Sequence, residues 1–172
     1  MEDRATMYKL FSILFSYPKK EVFSELGIKE NIEKLEREYV RLFISSPGTL
    51  PCPPYESVYL DGRRRLMSRV PKLMKIYKKA GFEIKPDFKE LPDHICVELE
   101  FMHLLCRMER EAIKNGEKSK AEKFRKFQRE FLREHLLKWV PKFCNDVIQN
   151  TTLGFYKEVA VSLKNFLIGE KL

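Results

Sequence analysis

Apolar residues return every three or four positions along almost the whole chain, the spacing of one face of an α-helix. Met7, Leu10, Phe11, Leu14 and Phe15 fall at i, i+3, i+4, i+7 and i+8, which predicts a first helix capped near Asp3 and stopped by Pro18. Ile28, Ile32, Leu35, Tyr39, Leu42 and Phe43 repeat the pattern over about 28–45. The stretch from Ser45 to Pro54 is then the one long run of helix breakers, and Tyr55 to Tyr59 reads as a short helix after it. Leu66, Val70, Leu73, Met74 and Tyr77 form another face that ends at Gly81. Segment 82–93 carries Pro86 and Pro92 and reads as a hinge loop. Helices are expected next over about 94–115, 119–137, 140–149 and 153–168, with breaks at Gly116 and Pro141. Alternation of period two is missing, so the expected class is all-α, a single helical bundle of about seven to nine helices. A smaller N-terminal half, 1–85, and a C-terminal half, 86–172, meet at the hinge.

The helix from 94 is apolar around most of its circumference, through Ile95, Val97, Leu99, Phe101, Met102, Leu104, Leu105 and Met108. It is therefore the expected centre of the bundle. Glu100, His103 and Arg107 share one narrow polar strip, but Glu98 lies outside it, on the apolar arc. A carboxylate there needs a hydrogen-bond partner. The 51–59 loop or His94 is the expected donor, so that Glu98 would pin loop to helix; the alternative is a Glu that emerges at the end of a short exposed sector.

Composition narrows the picture without choosing a function. Among 172 residues, 44% are hydrophobic, enough for a real core. Lys and Arg number 33 against 25 Asp and Glu, a net charge of +8. That charge is diffuse apart from Arg63–Arg65 and a Lys-rich 114–129 segment, so a solvated surface is favoured over a nucleic-acid site. The acidic start Met1-Glu-Asp-Arg lacks the character of a secretory signal, and no apolar run reaches the about 20 residues of a membrane span. Cys52, Cys96, Cys106 and Cys144 show no CxxC spacing and suit reduced thiols. The expected location is the cytoplasm, with no stable membrane insertion.

Chemistry is sparse. Cys96, Glu100, His103 and Cys106 have helical spacing but do not all point one way, so no metal site is expected. His94 and His135 with Glu98 and Glu134 form acid–base pairs on paper, yet nothing assembles a nucleophile or activated water beside them. Neither G-x-x-x-x-G-K-[ST] nor G-x-G-x-x-G occurs. The proline loop is different in kind. Pro51, Pro53 and Pro54 pre-order it, and Tyr55 and Tyr59 at i, i+4 would share a face beside Glu56 and Ser57. Such a surface suits peptide recognition; the alternative is an internal packing loop whose tyrosines cap helices.

Five segments recur in order: Glu38-Tyr-Val-Arg-Leu-Phe43, Pro51-Cys-Pro-Pro-Tyr-Glu-Ser-Val-Tyr59, Pro92-Asp-His94, Glu98-Leu-Glu-Phe-Met102, and the stretch from Phe131 to Phe143. Together they resemble the TorD/DmsD/NarJ family of redox-enzyme maturation chaperones, over residues of about 8 to 168. The resemblance implies an all-helical protein without turnover chemistry, and no catalytic residues. Its partner would be the catalytic subunit of a molybdopterin-dependent oxidoreductase, often met through a twin-arginine signal peptide. It would assist cofactor insertion and hold back premature export. By the same resemblance, Asp93 and His94, with Pro92 shaping the loop, carry signal-peptide binding. Tyr55, Glu56, Ser57 and Tyr59 match the second loop motif, and Glu98 and Phe101 the helix motif. Some relatives bind guanine nucleotide weakly or form domain-swapped dimers, and nothing in this sequence decides between monomer and swapped dimer. Two other functions stand beside the chaperone: a weak GTP-binding or hydrolysing protein, and a basic helical nucleic-acid binder.

A cationic leader and a protein of net charge +8 do not attract at long range. Binding would rest either on a local acidic patch of Glu56, Asp61, Asp87, Glu90 and Asp93, or on an apolar groove lined by Tyr, Met and Phe.

Overall fold

The computed structural model describes residues 3–170. Among them nine α-helical segments follow one another: α1 (Arg4–Leu14), α2 (Lys20–Glu25), α3 (Ile32–Tyr39), α4 (Glu56–Asp61), α5 (Val70–Ala80), α6 (Ile95–Lys114), α7 (Lys118–Phe131), α8 (Leu137–Asn150) and α9 (Gly154–Gly169). Two wide π-turns extend them, Val40–Ile44 after α3 and Leu132–Leu136 between α7 and α8. No strand forms among the described residues, so the all-α class holds.

The central helix is α6. It packs on α1 and on α7, while α8 packs on α9 and α4. Leu99, Met102 and Leu105 of α6 are fully buried, each contributing about 1.5–3 kcal/mol through its burial. One continuous core runs from Ala5 to Leu167 and takes in both stretches flanking the hinge. No helix among the described residues is long and apolar enough to cross a membrane.

Four details differ from the sequence expectations. Helix α2 was not expected, because its six residues are too few to show a period. Helix α5 begins at Val70 with Pro71 in its first turn, leaving Leu66 and Met74 exposed. The break expected at Pro141 does not occur: α7, the π-turn and α8 form an unbroken rod with Pro141 inside α8. Proline removes one donor to the carbonyl four residues back, but Trp139, Val140, Phe143 and Cys144 are buried around it and hold the helix on course. The fourth difference concerns the predicted 28–45 helix, which starts only at Ile32, after the Asn31 cap, and ends in the first π-turn. There Glu38 accepts from Arg41 and from Thr151 and Thr152, tying α3 to the α8–α9 loop.

Candidate functional site

The proline loop and the Pro-Asp-His hinge meet directly. Pro53 and Pro54 offer no N–H and keep the chain extended into Tyr55, which pairs with His94 in an isolated antiparallel bridge. Glu56 N donates to Asp93 O at 2.9 Å, and Ile95 N donates to Pro54 O at 2.9 Å. The Asp93 carboxylate then accepts from Ser57 N at 3.2 Å and Ser57 Oγ at 2.5 Å, capping the first turn of α4 from across the hinge. Ser57 Oγ also accepts from Met67 N at 3.1 Å. Tyr77 of α5 fastens the hinge from the other side, its hydroxyl donating to Pro92 O at 2.8 Å.

His94 serves its own helix. Its Nδ1 accepts from Cys96 N at 3.1 Å, so Nε2 carries the proton and the ring caps α6. Burial favours the neutral ring and pushes its pKa down to about 3. The Tyr55 ring packs edge-on against it at 5.3 Å.

Beneath this latch lies a buried acid cluster. Glu56, Asp93 and Glu98 are all closed to solvent, and each keeps one carboxyl oxygen without a hydrogen-bond partner. Glu56 Oε1 faces His135 Nδ1 at 2.8 Å, with the Arg69 guanidinium further off at 3.8 Å. Glu98 Oε2 accepts from Trp139 Nε1 at 3.0 Å. The expected donors to Glu98, the 51–59 loop and His94, are thus replaced by the chain's one tryptophan. Glu98 does lie against Glu56 of the loop, but two carboxylates cannot hydrogen-bond unless one carries a proton. Burial, followed by the charge of Glu56, pushes Glu98 well above the usual carboxylate range. Burial also raises Asp93, outweighing the two hydrogen bonds from Ser57. Within the cluster, burial thus favours the protonated form of Glu98 most strongly.

The structure brings the motif residues together but at different depths. Glu56, Ser57, Asp93, His94, Glu98 and Phe101 are buried, while Tyr55, Tyr59 and Pro92 are half-buried. Tyr55 and Tyr59 do not share a face, because Tyr55 is the extended residue before α4 and only Tyr59 is helical. Tyr59 instead packs on Trp139 and donates to Asp146 at 3.0 Å. The surface acidic patch does not form either. Glu56 and Asp93 are inside, and Asp61 is held by Arg69 and Ser68. His135, Trp139, Tyr77 and Arg69 are structural members of the site that the sequence did not place there. One sequence signal called for a buried donor, a carboxylate on the apolar arc, but it did not single out Trp139.

Phe101 connects the cluster to the surface. Its ring meets Tyr77 at 4.6 Å, Phe131 at 4.8 Å and Phe82 at 5.8 Å. Outside it, segment 82–88 and α6 enclose a groove of about 200 Å³ walled by Phe82, Ile84, Phe88, Val97 and Leu104. Phe88 stands half exposed at its edge. The groove accommodates apolar side chains at the point where the hinge leaves the core.

Other chemistry is limited. Among the described residues no three His, Cys, Asp or Glu side chains converge as metal ligands. Cys52, Cys96, Cys106 and Cys144 are free and buried, and burial pushes each thiol up to about 12.

Comparison with known proteins agrees with this fold. Residues 20–145 match the family described as nitrate reductase delta subunit. The selenate reductase assembly chaperone protein of Thauera selenatis is 32% identical over 150 residues, covering 83% of this chain and 75% of its own. The chlorate reductase assembly chaperone protein of Ideonella dechloratans is 33% identical, covering 81% of this chain and 74% of its own. The chaperone protein TorD of Aliivibrio salmonicida is 32% identical, covering 84% and 66% respectively. The crystal structure of a putative redox enzyme maturation protein from Archaeoglobus fulgidus superposes with a TM-score of 0.66 at 27% identity, covering 98% of this chain and 95% of that one. The motifs, the helical fold and these matches agree: the chain belongs to the nitrate reductase delta subunit family, that of the TorD and NarJ assembly chaperones.

Proposed function

We propose that this protein is an assembly chaperone for a molybdopterin-dependent oxidoreductase, acting in the cytoplasm. It binds an apolar segment of the catalytic subunit, its signal peptide, along the groove beside the hinge. The observation that carries this reading is the apolar groove between segment 82–88 and α6, immediately outside a latched hinge. An apolar groove removes the electrostatic difficulty, because a net charge of +8 does not oppose burial of leucine or phenylalanine side chains. The buried residues Asp93, His94, Glu56, Ser57 and Glu98 then set the hinge geometry, while Phe101 backs the groove. Tyr55, Tyr59 and Pro92 are the motif side chains that a docked peptide could touch without opening the core.

The acid cluster holds the latch from within, Asp93 accepting from Ser57 and Glu98 from Trp139. A fluorescently labelled twin-arginine leader peptide tests the groove by anisotropy. Binding is expected to weaken about tenfold in Phe88→Ala, as expected for loss of an aromatic contact worth about 1.4 kcal/mol. Equal affinity of the Phe88→Ala variant would exclude the groove as the docking site.

A further inference from the structure

A second cavity, of about 330 Å³, has His135 in its wall and lies between α5 and the end of the α7 rod. It shares no lining residue with the peptide groove. His135 belongs to the second π-turn, an insertion that widens the helix and redirects the side chains it carries. The residue is only 2% exposed. Its Nδ1 is committed to Glu56 at 2.8 Å, and Phe131 stacks on its ring at 4.8 Å. The remaining nitrogen, Nε2, is the ring nitrogen not engaged by Glu56, and the ring forms part of the cavity wall.

The charges around that nitrogen favour an anion. Glu134 is already engaged by Lys138 at 2.6 Å and Arg133 at 3.0 Å, and Glu130 by Lys126 at 3.9 Å. Lys72 and Lys79 of α5 also line the cavity and have no carboxylate partner among the described residues. Ile76 and Phe127 supply apolar wall. Glu56, the carboxylate on the inner side, meets the ring at Nδ1, with Arg69 beside it at 3.8 Å.

We propose that this cavity binds a small organic oxyanion, a carboxylate or phosphate carried on an apolar or aromatic body, gripped by Lys72 and Lys79 and hydrogen-bonded to Nε2–H of His135. Glu56 and the ligand then lie on opposite edges of the His135 ring, and the body of the ligand packs on Phe127 and Ile76.

The test uses the full chain with ¹⁵N-labelled histidine, titrated with phenyl phosphate, benzoate and inorganic phosphate and followed by NMR. Phenyl phosphate or benzoate is expected to shift the His135 ring resonances while leaving His103 unmoved. Which of the two binds more tightly identifies the preferred anionic group. The double variant Lys72→Ala/Lys79→Ala changes two exposed side chains and spares the core. It is expected to bind about tenfold more weakly. His135→Gln, followed by calorimetry, is expected to lose a similar factor. Three results overturn the proposal: no His135 response to either organic anion at millimolar concentration, unchanged affinity in the lysine variant, or inorganic phosphate binding as tightly as phenyl phosphate.

Discussion

The indole Nε1 of Trp139 donates to Glu98 Oε2 at 3.0 Å, and both side chains are completely buried. This one bond spans the bundle, joining the central helix α6 to α8 below the hinge latch. Removing the donor leaves a buried carboxyl with no partner on either oxygen, since Oε1 already has none. Trp139→Phe is expected to cost about 2–4 kcal/mol, the sum of a lost buried hydrogen bond and a smaller ring. Urea unfolding measures it. A loss under about 0.5 kcal/mol would show that the bond contributes little.

Glu98→Gln keeps the shape, still accepts from Trp139, and can donate its amide to Glu56. The expected cost in stability at neutral pH is under about 1 kcal/mol, with a gain relative to wild type as the pH rises.

The sign of that pH dependence comes from the shifts. Glu98 and Asp93 are raised in the folded state, so their contribution is complete at pH below their unfolded values and is lost as pH rises through their folded ones. His94 runs the other way. Its folded value is about 3 against 6.5 unfolded, so stability falls as pH drops below 6.5 toward 3. Glu38 adds to the acid side: burial raises it, but Arg41, Thr152 and Thr151 outweigh burial and hold it down to about 2. Its share is lost between about 4.5 and 2. Thermal melting against pH is expected to show decline on both flanks, with Glu98→Gln flattening only the alkaline one.

Ser57 is the relay of the latch, donating to Asp93 and accepting from Met67 N. Met67 holds a left-handed backbone at φ 70°, which a methionine adopts only when its surroundings impose it. Ser57→Ala is expected to cost about 1–3 kcal/mol and to speed hydrogen exchange at the amides of Met67, Glu56 and His94. Unchanged exchange there would mean that the hinge is held by other contacts.

The four buried thiols are expected to resist a thiol-specific reagent in the folded protein and to react fully in denaturant. Fast reaction of even one thiol under native conditions would show local opening at that cysteine.

Periodicity made the helices legible because core-facing side chains must recur with the helical repeat. It also identified α6 as the centre, since only a helix surrounded by others can be apolar on nearly every side. Pro141 misled because a local breaker was outweighed by the burial of Trp139 and Phe143 around it. The two π-turns left no trace, as the widened turn keeps helical dihedrals and an unremarkable composition. At the site, the pairing of the proline loop with the hinge was anticipated, but depth was not. Glu56 and Asp93 look like surface acids in a sequence; only packing shows them sealed beneath Tyr77 and Pro92, with Glu98 and Trp139 completing the cluster. The apolar groove depends on how segment 82–88 lies against α6, a relation between elements that no periodicity within either one encodes.

A peptide of the client is expected to dock in the groove beside the hinge. The most direct measurement is an amide NMR titration of the labelled protein with a twin-arginine leader peptide. Shifts are expected to concentrate in segment 82–88 and along α6 from Val97 to Leu104, with smaller ones at Asp93 and His94 as the latch adjusts. Saturable binding whose shifts fall elsewhere, with 82–88 and 97–104 unmoved, would contradict it.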